Sequence, residues 1–134
     1  MKIKRLATLI FPVVALILEV LPNGVLMRFA TPPGELPVIT YTSYFDLLPL
    51  GYANFAPLLT AILTIVLLIT LLFCIVKSTP KLWKAGKTIS FIAAIISLLP
   101  LLFDSYSMIG GCISFSLFAE FLYLVLQKPA VTGK

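Results

Sequence analysis

The chain has 134 residues, of which 60% are hydrophobic and 11% are charged, whereas soluble domains have about 45–50% apolar and about 25% charged residues. A soluble fold of this size has too little interior to bury that many apolar side chains, so the composition excludes the ordinary water-soluble classes and indicates an integral membrane protein. The net charge of +5 would favour nucleic acid only if the basic residues shared a soluble face, and their positions indicate orientation in a bilayer instead.

The first apolar run covers residues 5–21 and follows the basic sequence MKIKR. This start resembles the n-region of a secretory signal peptide. The small-residue cleavage pattern is missing after the run, where Glu19, Pro22 and Asn23 stand instead. We therefore predict a retained signal anchor, which is the first transmembrane helix.

Residues 22–54 form the one connection long enough to hold its own structure. Gly24–Ala30 and Leu36–Phe45 are rich in β-branched and aromatic residues, and the sequence TPPG between them is typical of a turn. We predict a β-hairpin that lies on the outer ends of the helices, because two strands alone are marginally stable in water. Pro49 and Gly51 then interrupt an apolar segment that we interpret as a short interfacial or re-entrant turn.

The outer loop has two interpretations, a lid over the helix ends and a binding surface. Its fixed charges are Arg28, Glu35 and Asp46, which are our candidates for interaction with a partner. The scarcity of charge slightly favours the lid.

Three further apolar runs cover residues 55–76, 82–103 and 106–126. Each is long enough to cross a hydrocarbon core about 30 Å thick, and lipid requires each to be helical because it offers the backbone no hydrogen bonds. The inner loop is then 77–81 and the cytoplasmic tail 127–134, and Asp104-Ser105 is the expected cap of the last helix. The predicted fold class is an all-α membrane protein, a single domain of four transmembrane helices with a small β-hairpin in the first extracellular loop.

Nine of the ten Lys and Arg residues fall on one side of this arrangement, and Arg28 alone falls on the other. The nine are Lys2, Lys4, Arg5, Lys77, Lys81, Lys84, Lys87, Lys128 and Lys134. The positive-inside rule therefore predicts a multi-pass protein of the cytoplasmic membrane with both termini in the cytoplasm. Tyrosines at the outer side and a tryptophan at the inner side fit interfacial aromatic belts: Tyr41, Tyr44, Tyr52 and Tyr106 outside, and Trp83 inside.

Two carboxylates lie within the apolar runs, and an ionisable residue inside a span is a functional hypothesis by default. Glu19 is near the outer end of the first run and can lean outward to water. Glu120 is deeper in the fourth run, with Ser116 one turn before it and Tyr123 one turn after it on the same face. For Glu120 a polar network that holds helices together and a proton or ion site remain equal alternatives.

Small and hydroxylated residues recur along the last three runs and are typical of close helix packing and interhelical hydrogen bonds. They are Thr60, Thr64, Ser90, Ser97, Gly110, Gly111 and Ser114. Cys74 and Cys112 are expected to be small buried hydrophobes, not partners in a disulfide.

Enzyme signatures are missing. The chain has no His and no metal-ligand spacing, phosphate loop or activated nucleophile. We therefore expect no catalytic residues, no metal and no cofactor.

The residues Glu19-Val20 and Leu26-Met27-Arg28-Phe29 resemble the first-helix region of small multidrug resistance transporters, which are also four-helix chains and have a coupling Glu there. The chain departs from that pattern where Pro22-Asn23-Gly24 ends the helix, in the long loop that follows, and in its strong Lys/Arg bias. A β-rich first outer loop in a four-span chain is also similar to claudin-type proteins, although the Trp and Cys residues of the claudin loop are missing.

The leading hypothesis is a non-enzymatic accessory, immunity or assembly subunit that acts through its helices and outer loop. Its expected partners are the lipid bilayer and either another membrane protein or a second copy of itself, and no nucleic acid. The alternative is a small proton- or cation-coupled transporter that uses an intramembrane Glu.

Overall fold

The structure, a computed structural model, describes residues 6–51, 54–77, 79–102, 104 and 106–127. Several residues used in the sequence predictions lie outside the described part of the chain: Lys2, Lys4, Arg5, Tyr52, Ser105, Lys128 and Lys134.

The described chain is mostly helical, as predicted. Its four main helices are α1 (Ile10–Val20), α2 (Ala56–Lys77), α3 (Pro80–Ser97) and α4 (Met108–Leu126). A 3-10 turn at Leu99–Leu101 extends α3, and a single helical turn at Leu48–Gly51 precedes α2. The segments 56–77, 80–101 and 108–126 are long and apolar enough to cross a membrane.

Helix α1 is shorter than the predicted run, with 11 residues and therefore about 16 Å of length at about 1.5 Å per residue. Thr8 and Leu9 form a turn before it, and the amide of Leu9 donates to the carbonyl of Leu6 at 3.0 Å. Pro12 explains the interruption, because it has no N–H to donate to the carbonyl of Thr8. The hydropathy of the run gave no sign of this break.

The predicted β-hairpin is confirmed. Strands β1 (Val25–Phe29) and β2 (Val38–Thr42) pair antiparallel, with Val25 opposite Thr42 and Phe29 opposite Val38. Val25 also forms a β-bridge with Tyr106, just before α4. The hairpin therefore lies on the ends of the helices opposite the Lys77–Pro80 turn, and its inner face is the buried side of β1.

Each helix buries a stripe of residues spaced alternately by four and three positions, which we call its seam. This spacing is typical of coiled-coil-like packing in helix bundles. The seams are Thr8, Pro12, Ala15 and Glu19 in and before α1; Thr60, Thr64, Leu67, Leu71 and Cys74 in α2; Gly86, Ser90, Ala93 and Ser97 in α3; and Ile113, Leu117, Glu120 and Leu124 in α4.

The seams are not uniform along the bundle. Beneath the hairpin and down to the middle of the bundle they contain hydroxyl groups and both carboxylates. Nearer the Lys77 end the close contacts are apolar, and a methyl group added at Gly86 would lie 3.3 Å from Leu71 Cδ2 and 4.0 Å from Leu124 Cδ1. Apart from Thr8, the polar seam residues therefore lie in the half of the core nearest the hairpin.

Candidate functional site

Glu19, at the end of α1, is fully buried. Its Oε1 accepts a hydrogen bond from the Thr64 hydroxyl at 2.7 Å, so this acid joins α1 to α2. The expectation that Glu19 leans outward to water is wrong, because its position in the seam turns the side chain into the bundle. Its second oxygen, Oε2, is buried and has no hydrogen-bond partner among the described residues.

The Thr64 hydroxyl has a second acceptor, the carbonyl of Thr60 at 3.0 Å. A hydroxyl has one proton to donate, so an ionised Glu19 and this carbonyl would have to share it, and each bond would be weakened. If Glu19 carries a proton, Glu19 donates to Thr64 and Thr64 donates to Thr60, and both contacts are satisfied. The geometry therefore fits a neutral Glu19, as expected for an acid buried in an apolar bundle.

Tyr44 lies directly over Glu19. Its amide donates to the carbonyl of Glu19 at 3.0 Å, and the side chain is 1% exposed. The prediction that Tyr44 belongs to an interfacial belt is wrong, whereas Tyr41, at 53% exposure, fits that prediction. Burial raises the pKa of the Tyr44 phenol, with smaller contributions from Tyr106 and Glu19, so the phenol stays neutral at physiological pH.

Two glycines make room for the Tyr44 ring. A methyl group at Gly24 would lie 2.9 Å from Tyr44 Cδ1, and one at Gly110 would lie 3.1 Å from the Tyr44 hydroxyl. The ring therefore fills a space bounded by the start of the hairpin and the first turn of α4. Sequence reasoning missed this contact because the three residues are far apart in the chain.

Ser107 ties the hairpin to α4. Its hydroxyl donates to the carbonyl of Gly24 and accepts from the amide of Gly110 at 2.9 Å. Ser107 is thus the N-cap of α4. The predicted cap at Asp104-Ser105 is wrong: Asp104 instead has positive φ in the preceding turn, and Ser105 lies outside the described residues. The serine two positions further along the chain does the capping.

Glu120 is also fully buried, in the middle of the α4 seam. Both of its carboxyl oxygens are without a hydrogen-bond partner among the described residues. The polar network with Ser116 and Tyr123, one of the two alternatives for Glu120, does not form, and the Ser116 hydroxyl donates to the carbonyl of Cys112 at 2.9 Å instead. The Tyr123 ring packs against Phe11, with ring centroids 6.3 Å apart.

These contacts also fix the depth of Glu120. Phe11 is level with Tyr123, and α1 and α4 run in opposite directions, so Glu120 is level with the seam residue Ala15. Ser90 of α3 is close to this level, because its hydroxyl donates to the carbonyl of Leu117 at 3.4 Å. Glu19, four residues after Ala15, then lies about 6 Å nearer the hairpin at about 1.5 Å per residue, and the two acids do not pair.

A row of hydroxyl groups follows the contact between α3 and α4. The Tyr106 phenol donates to the Ser114 hydroxyl at 2.9 Å, and that hydroxyl donates to the carbonyl of Ser97 at 3.3 Å. We call Tyr106, Ser114, Ser97 and Ser90 the hydroxyl row. The predicted interhelical hydrogen bonds of Thr64, Ser90 and Ser114 are thereby confirmed.

The outer-loop candidates lie apart from the two acids. Arg28 forms an exposed ion pair with Asp104 at 3.0 Å. Asp46 Oδ1 accepts from the amide of Leu48 at 2.9 Å, which caps the short helical turn. Glu35 is exposed in the turn between the strands. The structure does not bring these three side chains to one site.

Buried acids without a cationic partner can hold protons. Within the described part of the chain no three His, Cys, Asp or Glu side chains cluster to hold a metal ion. Cys74 is buried as predicted, but Cys112 is exposed on α4, contrary to the prediction. No family model, curated protein or solved structure matches this chain.

Proposed function

We propose that the chain is an integral protein of the cytoplasmic membrane in which all four helices cross the bilayer. The three long apolar helices support this proposal. The lysines Lys77, Lys81 and Lys84 are at the end of the bundle opposite the hairpin, so the positive-inside rule assigns them to the cytoplasm and the hairpin to the outer side. In this arrangement α1 and the residues before it complete the fourth span.

The topology is testable with single cysteines in a background that has Cys74 and Cys112 replaced by serine. We expect Glu35→Cys to react with a membrane-impermeant maleimide in intact cells, because Glu35 is exposed in the hairpin turn. Lys81→Cys should react only after permeabilisation. Labelling of Lys81→Cys in intact cells would contradict the proposed orientation.

The function that we propose is non-enzymatic: the chain binds another membrane protein, or a second copy of itself, as an accessory subunit. The observation that carries this proposal is the outer surface of the hairpin. Ile39 and Tyr41 are exposed on the face of β2 that points away from the bundle, and Leu36 and Val38 are exposed near the turn between the strands. Helix faces exposed to lipid need no protein partner, but apolar side chains exposed beyond the helix ends are typical of a contact with a protein or with the membrane surface.

The second strand adds backbone groups to this surface. In the described chain β2 pairs with β1 alone, so its other edge carries unpaired N–H and C=O groups that can pair with a strand of a partner. Arg28, Glu35 and Asp46 surround the hairpin as charged groups that can set the orientation of that partner.

A photo-crosslinking amino acid at Tyr41 tests the proposal in membranes. We expect one discrete protein adduct, whose mass distinguishes a second copy from a different protein. Ile39→Asp on the same strand should abolish the adduct, whereas Thr88→Ala, at an exposed position on α3 away from the hairpin, should preserve it. Adducts with lipid alone, or a protein adduct that survives Ile39→Asp, would contradict the proposed surface.

One observation favours a second candidate, a small proton- or cation-coupled transporter. An acid in the middle of a transmembrane bundle with both oxygens unpartnered, as at Glu120, is unfavourable for stability and is typical of residues that bind and release a proton or an ion. Glu19 adds a second acid nearer the outer end.

A further inference from the structure

We propose that Glu120 exchanges its proton with the outer side of the membrane along the hydroxyl row, and that Tyr44 closes the outer end of this route. The inference rests on the second candidate function and deepens it by assigning the side from which the acid is reached.

The surroundings of Glu120 favour a neutral acid. Level with it are the seam residues Ala15, Leu67 and Ser90, all fully buried and without charge. The nearest titratable groups on the neighbouring turns are Glu19 towards the hairpin, and Lys87 and Tyr123 towards the other end. No cation pairs with Glu120 among the described residues. Ionisation of Glu120 would leave a buried charge without a counter-ion, so Glu120 binds a proton instead.

The two directions away from Glu120 differ in polarity. Towards the hairpin, Ser90, Ser97 and Ser114 are buried hydroxyls, and Tyr106 joins the row to the outer surface. Towards the other end, the nearest fully buried seam positions are Leu71 and Leu124, which pack around Gly86, and the buried hydroxyl of Thr8 lies beyond them, about 10 Å from the level of Ala15 at about 1.5 Å per residue. Hydroxyl groups can relay protons and hold transient water, whereas packed leucine side chains cannot. Proton exchange is therefore easier towards the hairpin than towards the Lys77 end.

Tyr44 is placed to control this route. Its ring fills the space between Gly24 and the first turn of α4, and its hydroxyl lies beside Gly110. Tyr106, the outermost member of the row, is close enough to Tyr44 to influence its titration. Movement of the hairpin would lift Tyr44 and admit water to the start of the row.

The experiment is infrared spectroscopy of the full chain in lipid vesicles during exchange into heavy water. A protonated carboxyl group has its own C=O stretching band, which shifts when its hydrogen is replaced by deuterium. We expect one such band to be lost in Glu120→Gln and retained in Glu19→Gln. Absence of a Glu120 band throughout the pH range where the protein is folded would overturn the proton site itself, and with it the second candidate function.

The route is tested by the rate at which the Glu120 band shifts. Ser114→Ala and the milder Tyr106→Phe should each slow exchange several-fold, and Tyr44→Ala should accelerate it. Thr88→Val is the matched control, because Thr88 is an exposed hydroxyl on α3 that donates to the carbonyl of Lys84, and it should leave the rate unchanged.

Two further variants examine the opposite direction. Tyr123→Phe removes the hydroxyl one turn towards the Lys77 end, and Trp83→Ala opens that end of the bundle. If Tyr123→Phe slows exchange or Trp83→Ala accelerates it while the outer variants have no effect, the proposed route is wrong although the proton site remains.

Discussion

Tyr44→Ala is expected to lower the free energy of unfolding by about 3–5 kcal/mol, the usual cost of truncating a large buried aromatic side chain. The ring is almost fully buried between the hairpin and the first turn of α4, and its loss leaves a cavity that the glycines on either side cannot fill. Because Tyr44 also links the loop to α1 through its backbone, the hairpin should become more accessible to protease.

The measurement is the loss of helical circular dichroism during denaturation in detergent, together with limited proteolysis of the hairpin. Tyr41→Ala is the matched control, because Tyr41 is on the same hairpin but half-exposed. This variant should change the free energy of unfolding by less than about 0.5 kcal/mol. Equal losses in the two variants would show that Tyr44 does not hold the hairpin on the bundle.

Glu120→Met is expected to raise the free energy of unfolding by about 1–3 kcal/mol, since it removes buried polar atoms that have no hydrogen-bond partner. Methionine is close to glutamate in size and adapts to irregular apolar surroundings. The neighbouring seam positions, Leu117 and Leu124, are already apolar. An acid retained at the cost of stability is more easily explained by function than by packing.

The same variant separates the two candidate functions. In vesicles with a pH-sensitive dye, a coupled transporter would lose its proton flux on Glu120→Met, while an accessory protein would retain its crosslink through Tyr41. Thr88→Met, at an exposed position on α3 away from both sites, is the matched control and should alter neither property. A destabilised Glu120→Met protein would show that the acid has a structural partner and would remove the argument for a proton site.

The hydroxyl groups show which contacts of the candidate site could be predicted from the sequence and which could not. Their recurrence predicted interhelical hydrogen bonds, and Thr64, Ser90 and Ser114 make them. The sequence did not predict that Thr64 would bond to Glu19, because the partners are 45 residues apart. A hydroxyl inside a helix signals a polar contact but carries no information about the helix that supplies the partner.

The sequence alone determined the mostly helical architecture, the three long apolar helices and the hairpin, because the length of an apolar run and the chemistry of a turn are local properties. Tertiary structure decided which side of each helix faces inward. In helices that are apolar all round, hydropathy has no angular preference, and the seam is marked by small and hydroxylated residues instead. For the same reason only the fold could place Glu19 inside the bundle, bury Tyr44 between distant glycines, and leave Glu120 without a partner.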